Sequence, residues 1–454
     1  MCFPQLLSRL LVGVGAACLA VGGLHAQEGP PHSTPPQDAP GASGVPLALT
    51  LKDAIERAKR LEPTYQTAVT AAGVARESRN QSRDALLPSL RYNNSLMISQ
   101  LNAVGEVRFL ANDRLHEYTS QANVHEAIGL AEIENYRSAA AAAAVAKAQA
   151  EIAQRGLVST VVQTYFSVAA AQQKLLAAQQ AAQEGESFLK ITRDLERGGE
   201  VAHADVIKAE LQVEDRNRQL QEAQLALLNA RMTLAVLVFP NFNKDFQIAD
   251  DLHAAVALPP YLEVQQLAGQ NNPEIRAALA TVRQAGHDVI AERAGYLPSL
   301  SLDYFYGIDA PNFGVNRADR QRNIGYEWLF TVNIPVWNWG ATQSRVKQAE
   351  LHRTLAKTEL SFAQRKLLAE LQSLYGEAET AQQELAGLQR AASLAAESLR
   401  LTTLRYKDGE STVLEVVDAQ TTYATANAAY QDGAVRYRVA LANLQTLTGV
   451  LPQP

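Results

Sequence analysis

The feature that most constrains the fold is an internal repeat in which sequence landmarks recur after a constant shift of 210 residues. Four matched pairs share this shift: Glu62-Pro63 with Asn272-Pro273, Leu87-Pro88-Ser89-Leu90 with Leu297-Pro298-Ser299-Leu300, Tyr165 with Tyr375, and Gly199-Glu200 with Gly409-Glu410. One matched tetrapeptide would carry little weight, but a shift held over more than 130 residues indicates duplication of a whole structural unit. We therefore expect two repeats, 47–239 and 263–449, joined by a connector at 240–262 that contains Pro259-Pro260.

The N-terminus predicts export across the inner membrane. A polar start that ends at Arg9 is followed by an apolar run and the small residue Ala26, which is typical of a cleaved secretory signal over 1–26. Cleavage there would remove Cys2 and Cys18, the only cysteines, so the mature chain needs no disulfide framework. Acylation of Cys18 is the alternative reading of this segment. The Pro-, Ser- and Gly-rich residues 27–46 predict a leader without a core, and 450–454 form a short tail.

Long helices with an apolar seam are predicted in both repeats. The seam of the second repeat follows strict 4-3 spacing at Leu367, Leu371, Leu374, Ala378, Ala381, Leu385, Leu388, Ala392, Ala395 and Leu399. A shift of 210 places smaller residues on the same seam at Leu157, Val161, Thr164, Val168, Ala171, Leu175, Ala178, Ala182, Gly185 and Leu189. This is the heptad pattern of a coiled coil. Because no proline occurs from Gly340 to Tyr406, one helix there would be about 100 Å long.

Strands with an aromatic-rich face are predicted between the helices. In the second repeat, apolar residues alternate with polar or small ones over two runs, with one face formed by Leu300, Leu302, Tyr304, Tyr306, Ile308, Ile324, Tyr326, Trp328, Phe330, Val332 and Ile334. A polar loop at 309–322 joins them. The first repeat gives a weaker pair, because Leu90, Tyr92, Leu96 and Ile98 share a face whereas 115–127 is mostly polar. The repeat predicts four strands per chain.

Composition and charge argue against several classes of protein. A net charge of −6, a pI near 5.8 and basic residues scattered among acidic ones disfavour a nucleic-acid partner. The eight histidines never stand three or four residues apart, so no helical metal pair is predicted. His116 and His125 lie near the weak strand, where exposed histidines are a simpler reading than a metal site. We therefore predict no enzyme, no catalytic residue, no metal and no cofactor.

The strands determine the expected assembly. After the signal, no run reaches the 18 or so apolar residues of a membrane-spanning helix, so entry into a membrane would require strands. Four strands cannot close into a barrel, and open edges in lipid leave backbone groups unpaired. Two chains would give eight strands and a filled interior, whereas three give twelve and room for a lumen. A homotrimer in outer-membrane lipid is therefore predicted. The alternative is a purely periplasmic coiled coil, which leaves the aromatic strand faces without a role.

The order of elements and several local sequences resemble the TolC-like outer-membrane efflux protein family over nearly the whole mature chain. The segment 405–420 resembles the family's inter-helix turn at the periplasmic end, Leu297–Leu300 its entry into a barrel strand, and 335–340 its exit into the long helix. One departure is His125, which stands where the second repeat has Pro335. This resemblance implies a mainly α fold with a β membrane part, in which three chains form a 12-stranded β-barrel and an α-helical periplasmic tunnel.

The resemblance also implies partners and candidate site residues. A periplasmic adaptor protein and an inner-membrane transporter would supply the energy, and the duct itself would perform no chemistry. Glu415 and Asp418 match an acidic pair that forms rings at the periplasmic constriction, and Asp205 matches a partner of the Tyr406 hydroxyl in a gate latch. Ser411 replaces a basic residue that assists this latch in some relatives. Small-molecule efflux is the expected role; type I protein secretion and heavy-metal efflux stay open as alternatives.

Overall fold

The computed structural model describes residues 47–98, 116–241, 245–249, 252, 256–311, 314–316 and 322–448. The first repeat contains three strands and four helices, in the order β1 (Leu47–Leu49), α1 (Leu51–Leu61), α2 (Pro63–Asp84), β2 (Ser89–Ile98), β3 (His116–Ile128), α3 (Leu130–Gly198) and α4 (His203–Val238). A short strand β4 (Phe246–Ile248) follows in the connector. The second repeat consists of α5 (Tyr261–Asn271), α6 (Pro273–Ala294), β5 (Ser299–Ala310), β6 (Ile324–Asn333), α7 (Ala341–Lys407) and α8 (Val413–Thr448).

The helices of the two repeats correspond almost residue for residue. A shift of 210 converts the bounds of α1, α2 and α4 into those of α5, α6 and α8, and it converts α3 into α7 to within one residue at each end. The predicted mainly helical fold with long helices and four strands between them is confirmed. A separate two-stranded sheet of β1 and β4 was not expected from the sequence.

The landmarks of the repeat occupy equivalent structural positions because each has a local function. Glu62 and Asn272 cap α2 and α6 by accepting from the backbone amides of Tyr65 and Ile275, and a proline occupies the first helical position of both helices. Gly199 and Gly409 end α3 and α7 with φ of +78° and +75°, a conformation that favours glycine.

The matched tyrosines bind matched carbonyl groups. The Tyr165 hydroxyl donates to the Leu49 carbonyl oxygen at 2.8 Å, and the Tyr375 hydroxyl donates to the Pro259 carbonyl oxygen at 3.3 Å. The two acceptors are themselves 210 residues apart. Each tyrosine therefore ties the middle of a long helix to the residue two positions before a short helix, α1 or α5, and this shared contact explains why the tyrosines recur at the same spacing.

Every residue of the predicted heptad seams is buried or half-buried within the chain. Val161, Val168 and Ala378 are fully buried, and Leu371 and Ala381 are at most 2% exposed. The long helix α3 packs against α2, α4, α6 and α8, whereas α7 packs chiefly against α6 and α8. Burying an aliphatic side chain contributes about 1.5–3 kcal/mol, so seams of this length supply much of the stability of the chain. Among the described helices, none is both long and apolar enough to cross a membrane.

The larger sheet is antiparallel with the order β2-β3-β5-β6, so β2 and β6 are its edges. Register places the even-numbered residues of all four strands on one face, where Tyr304 lies opposite Trp328 and Tyr306 opposite Tyr326. Tyr326, Phe330 and Val332 on this face are 59–72% exposed. The opposite face carries polar residues such as Asn123, Asp303 and Glu327. Strand β3 fits this pattern although its sequence is mostly polar.

The two repeats leave the sheet differently. Strand β3 extends to Ile128, and only Gly129 separates it from α3. Strand β6 ends at Asn333 and is followed by seven non-helical residues before α7. Pro335 cannot donate to a strand ladder, whereas His125 at the matching position continues the pairing of β3 with β5. Trp339 in the second exit has φ of +57°, which is costly for a residue with a Cβ atom.

Candidate functional site

The predicted constriction residues lie at the second-repeat tip, which we define as residues 405–418 at the turn between α7 and α8. Thr412 and Glu415 form a capping box at the start of α8, in which the Glu415 amide donates to the Thr412 hydroxyl at 3.3 Å. The hydroxyls of Ser411 and Thr412 donate to the Glu415 carboxylate at 2.7 and 3.3 Å. Ser411 therefore contacts one of the predicted ring carboxylates.

Glu415 and Asp418 are both exposed and three residues apart on α8, so they share a helix face. The hydrogen bond from Ser411 lowers the pKa of Glu415 and outweighs the effect of desolvation. Glu415 is thus held as a carboxylate and pre-oriented by its own turn. Leu414 beside it is 66% exposed, whereas Val416 is fully buried, so the acidic pair projects from a packed helix.

Tyr406 is only 3% exposed although it stands at the last turn of α7. Its ring packs on Phe188 with centroids 4.9 Å apart, and its hydroxyl donates to the Thr192 hydroxyl at 3.2 Å. Burial raises the pKa of Tyr406, and the nearby negative charge of Asp205 acts in the same direction. We call Tyr406, Thr192 and Phe188 the latch, because they join α7 to α3 across the two repeats.

The Tyr406 hydroxyl has a different partner from the one that the resemblance implied. Asp205 is near enough to act on the tyrosine electrostatically, but its carboxylate accepts from Lys208 at 3.2 Å. The bond to Thr192 was missed, although Phe188 and Thr192 stand four residues apart and so share one face of α3. The sequence offered that spacing as a signal, but it could not show that α7 packs there.

The first-repeat tip, defined as residues 195–208, has a different chemistry. Asp205 and Lys208 occupy the positions of Glu415 and Asp418 after the shift of 210, so an acidic pair exists only in the second repeat. Glu196 occupies the position of Tyr406 and pairs with His203 at 2.7 Å. No side chain caps α4 at Ala202. The two tips therefore share a backbone but not a set of interactions.

A cavity of about 620 Å³ adjoins the latch between α3 and α7. Its walls include Phe188, Ile191, Thr403, Leu404, Lys407 and Tyr423. The space is open to solvent along one side. Below it, Ala209, Val413 and Val416 complete a small buried cluster with Phe188 and Tyr406 of the latch.

Polar side chains interact on the face of the sheet opposite the aromatic residues. His125 Nδ1 lies 2.8 Å from the Asp303 carboxylate, which also accepts from the Asn123 amide at 3.3 Å. The pairing of His125 was not predicted, since the sequence suggested an exposed histidine. For His116, the second histidine of that prediction, the structure describes only the backbone. Within the described residues, no group of three or more His, Cys, Asp or Glu side chains could hold a metal ion.

Comparison with known proteins identifies the family. The family model described as "Outer membrane efflux protein" matches residues 54–238 and 264–450. The outer membrane protein TolC of Vibrio cholerae is 24% identical over 426 residues, covering 90% of this chain and 93% of the relative. The toluene efflux pump outer membrane protein TtgC of Pseudomonas putida is 23% identical over 279 residues, covering 59% and 55% of the two chains.

The fold is similar to that of solved outer-membrane proteins. The outer membrane protein VceC from Vibrio cholerae superposes with a TM-score of 0.76 at 18% identity, covering 88% of this chain and 97% of that one. The Campylobacter jejuni CmeC outer membrane channel superposes with a TM-score of 0.74 at 18% identity, covering 88% and 85%. The helices form a periplasmic tunnel and the strands lie in the outer membrane. This chain belongs to the outer membrane efflux protein family.

Proposed function

We propose that this chain forms a homotrimeric channel that serves as the outer-membrane exit duct of a tripartite efflux system. The observation that carries the proposal is the four-stranded sheet whose edge strands, β2 and β6, have no partner strand within the described chain. Unpaired backbone groups are costly in lipid, so the sheet must be closed by further copies. Three copies would give twelve strands and an open lumen.

The two faces of the sheet support this placement. The face with Tyr326, Trp328 and Phe330 is 46–72% exposed in the single chain, an exposure suited to lipid. The other face carries Asp303 and Glu327, which suit a water-filled lumen. Below the sheet, α3 and α7 contain 69 and 67 residues, so each is about 100 Å long. This length would bring the channel to a periplasmic adaptor and an inner-membrane transporter.

The tips would form the gate of the duct. Three copies of Glu415 and Asp418 would line the periplasmic entrance with six carboxylates, which favour cations and repel one another. The latch of Tyr406 and Thr192 opposes this repulsion in each subunit, because it ties α7 to α3. The proposed gate is therefore a balance between ring repulsion and the three latches.

Purified protein tests the channel directly. The expected result is outer-membrane fractionation, a trimer mass in detergent and single channels in planar bilayers. Deletion of the gene should then raise sensitivity to small toxic molecules. Loss of a secreted protein without such sensitivity would favour the secretion alternative, and sensitivity to metal ions alone would favour the metal alternative. A monomer without channel activity would contradict the proposal.

Topology gives a second test. We expect the loop 309–322 outside the cell and the connector 240–262 in the periplasm. Cysteines introduced at Asn316 and at Asp250, which lies outside the described residues, can be probed with an impermeant label on intact cells. Labelling at Asn316 alone supports the proposed orientation, and equal labelling at both positions contradicts it.

The constriction is tested with the double variant Glu415→Ala and Asp418→Ala in planar bilayers. Cation preference and block by divalent cations should fall, and conductance should rise. Glu379→Ala is a matched control, because this exposed glutamate lies about 40 Å farther up α7. Unchanged conductance, selectivity and divalent block in the double variant would assign both carboxylates to the solvated surface.

A further inference from the structure

Arg155 joins the two repeats within the chain by binding the ends of two helices. Its guanidinium donates to the carbonyl oxygen of Asn271, the last residue of α5, at 3.1 Å, and to that of Leu447, near the end of α8, at 3.4 Å. Carbonyl groups in the last turn of a helix have no intrahelical amide partner. The cation therefore satisfies such an acceptor at the end of α5, where it also suits the negative end of the helix dipole, and it binds a second carbonyl in the last described turn of α8.

Arg365 occupies the position of Arg155 after the shift of 210, on α7 instead of α3. In the single chain it is exposed, and its Nε–H donates only weakly, at 3.4 Å, to the Ser361 carbonyl of its own helix. The helix ends that correspond to those bound by Arg155 are Leu61 at the end of α1 and Leu237 near the end of α4. These residues lie in the first repeat, and α7 packs chiefly against α6 and α8.

We propose that Arg365 clamps the neighbouring subunit by donating to the carbonyl oxygens of Leu61 of the partner subunit and Leu237 of the partner subunit. The proposal rests on the homotrimer proposed above. In the chain, the first repeat meets the second through α3 against α6 and α8, and β3 against β5. The second repeat presents the equivalent surfaces, α7 and β6, at an edge without a partner strand in the described chain. A second copy is the occupant whose first repeat has matching surfaces.

The same shift brings a second pair of polar residues together beside Arg365. Next to Arg155, Arg276 of α6 forms an ion pair with Glu151 of α3. The shift of 210 replaces Glu151 by Ser361, and it replaces Arg276 by Gln66 of the partner subunit. The charged pair of Arg276 and Glu151 is thus replaced by a neutral pair, in which the Ser361 hydroxyl can donate to an amide oxygen of glutamine. Neither member is left as an unpaired charge.

The latch position gives a second matching pair. Within the chain, Tyr406 donates to Thr192 across α7 and α3. Between subunits the equivalent residues are Thr402 of α7 and Glu196 of the partner subunit, a hydroxyl donor and a carboxylate acceptor. The same rule therefore places compatible groups together at the middle and at the tip of the subunit interface.

Subunit exchange tests the clamp. Trimers carrying two different tags are mixed in detergent, and the appearance of mixed trimers is followed over time. We expect exchange to be about ten-fold faster in Arg365→Ala, because hydrogen bonds to charged groups are lost at both interfaces of a departing subunit. The exchange rate of Arg365→Lys should lie between those of Arg365→Ala and the unmodified protein. A lysine keeps the charge but lacks the planar guanidinium that can bridge two acceptors.

The controls separate this inference from the proposed function. Arg390→Ala removes another exposed arginine of α7 and should leave exchange unchanged. Exchange of Arg365→Ala at the rate of Arg390→Ala would overturn the clamp while leaving the trimer intact. A wild-type protein that forms no trimer would instead contradict the proposed function. If Arg365→Ala is not recovered, Arg365→Lys decides alone, because exchange no faster than that of Arg390→Ala overturns the clamp.

Discussion

The two repeats have nearly identical helix bounds, yet they differ where helices meet strands and where helices turn. The first repeat runs from β3 into α3 through one glycine, whereas the second inserts Pro335 and two tryptophans between β6 and α7. The second-repeat tip buries Tyr406 and caps α8 with Thr412, whereas the first-repeat tip pairs Glu196 with His203 and leaves α4 without a side-chain cap.

These differences show which properties must be shared by the repeats. Helix length, the capped starts of α2 and α6, and the bond from a tyrosine to a carbonyl group set the shape of the unit, so a change in one repeat would mismatch the other. The tips and exits are local, so each repeat carries its own chemistry there. In a symmetric assembly, this divergence confines the acidic rings to α8 and the latch to the contact between α7 and α3.

The largest expected effect comes from Glu134, which is 1% exposed near the start of α3. Its carboxylate accepts from Arg137 at 2.6 Å and from His287 of α6 at 2.7 Å. Glu134→Ala removes the partner of both groups, which are partly exposed, and we expect a loss of about 1–3 kcal/mol in the free energy of unfolding. Ser344, the exposed counterpart in the second repeat, is the control. Thermal unfolding of Ser344→Ala should change by less than about 0.5 kcal/mol.

The same carboxylate predicts an acid-sensitive first repeat. Burial raises the pKa of Glu134, but the bonds from His287 and Arg137 outweigh it, so the net pKa is below the ordinary 4.5. A depressed pKa contributes stability above pH 4.5 that is lost as the pH falls through the folded-state value. Glu134→Gln should flatten this acid limb in a pH series of thermal unfolding. An unchanged acid limb would show that other carboxylates determine it.

Gly199 and Gly409, at the C-terminal ends of α3 and α7, should respond alike to substitution although the tips around them differ. A Cβ at Gly199 or Gly409 would meet no atom within 4 Å, so only the left-handed backbone opposes a side chain. We expect Gly199→Ala and Gly409→Ala each to lower the free energy of unfolding by about 1–2 kcal/mol. Gly376 lies inside α7 with similar open space, and Gly376→Ala should raise stability by about 0.5–1 kcal/mol. Denaturant titration compares the three, and unequal losses at the two turns would break their equivalence.

The latch should affect gating more than folding. Tyr406→Phe keeps the ring on Phe188 but removes the bond to Thr192, a loss of about 1 kcal/mol from the closed state. Because the variant trimer loses all three latches, planar-bilayer recordings should show a rise of about five-fold per latch in the ratio of open to closed states, and of roughly a hundred-fold if the three tips open together. Tyr375→Phe likewise removes one tyrosine hydrogen bond, that to the Pro259 carbonyl oxygen, but far from the tip, and should leave gating unchanged. Equal gating in both variants would exclude Tyr406 as a restraint.

The smallest expected effects come from the helix starts at the tips. Thr412→Ala should destabilise α8 by about 1 kcal/mol, because it removes the acceptor of the Glu415 amide. Ala202→Thr at the uncapped counterpart should stabilise α4 by about 0.5 kcal/mol or more. Hydrogen exchange of the first turns measures both changes. If the helix starts differ only in their caps, Thr412→Ala must speed exchange in α8 and Ala202→Thr must slow it in α4.

Much of the framework was predictable because it rests on periodicity. The 4-3 seam predicted α3 and α7, and alternation predicted β5 and β6, since each pattern reports burial on one face. Strand β3 was recognisable only through its repeat partner. Its polar residues His125 and Asn123 pair with Asp303, which depends on a register that one sequence does not reveal.

The site was less predictable, because it depends on contacts between distant segments. Tyr406 and Asp205 were identified through resemblance, yet the hydroxyl binds Thr192, 214 residues away in the chain. Glu415 was predicted as a ring residue, but its capping box follows from the local sequence Thr412–Glu415 and was overlooked. The roles of Glu415 and Asp418 in a ring depend on a second and third chain and stay predictions.

The most direct test of the central claim is a disulfide between subunits. Ala122 pairs with Tyr306 inside the chain, so the shift of 210 pairs Val332 of β6 with Leu96 of the partner subunit. The variant Val332→Cys with Leu96→Cys, in a mature chain predicted to lack other cysteines, should form a covalent trimer on mild oxidation. Val332→Cys with Met97→Cys places the thiols on opposite faces and should not. The homotrimer would be contradicted if Val332→Cys with Leu96→Cys gave no covalent trimer, or if the control with Met97→Cys gave one.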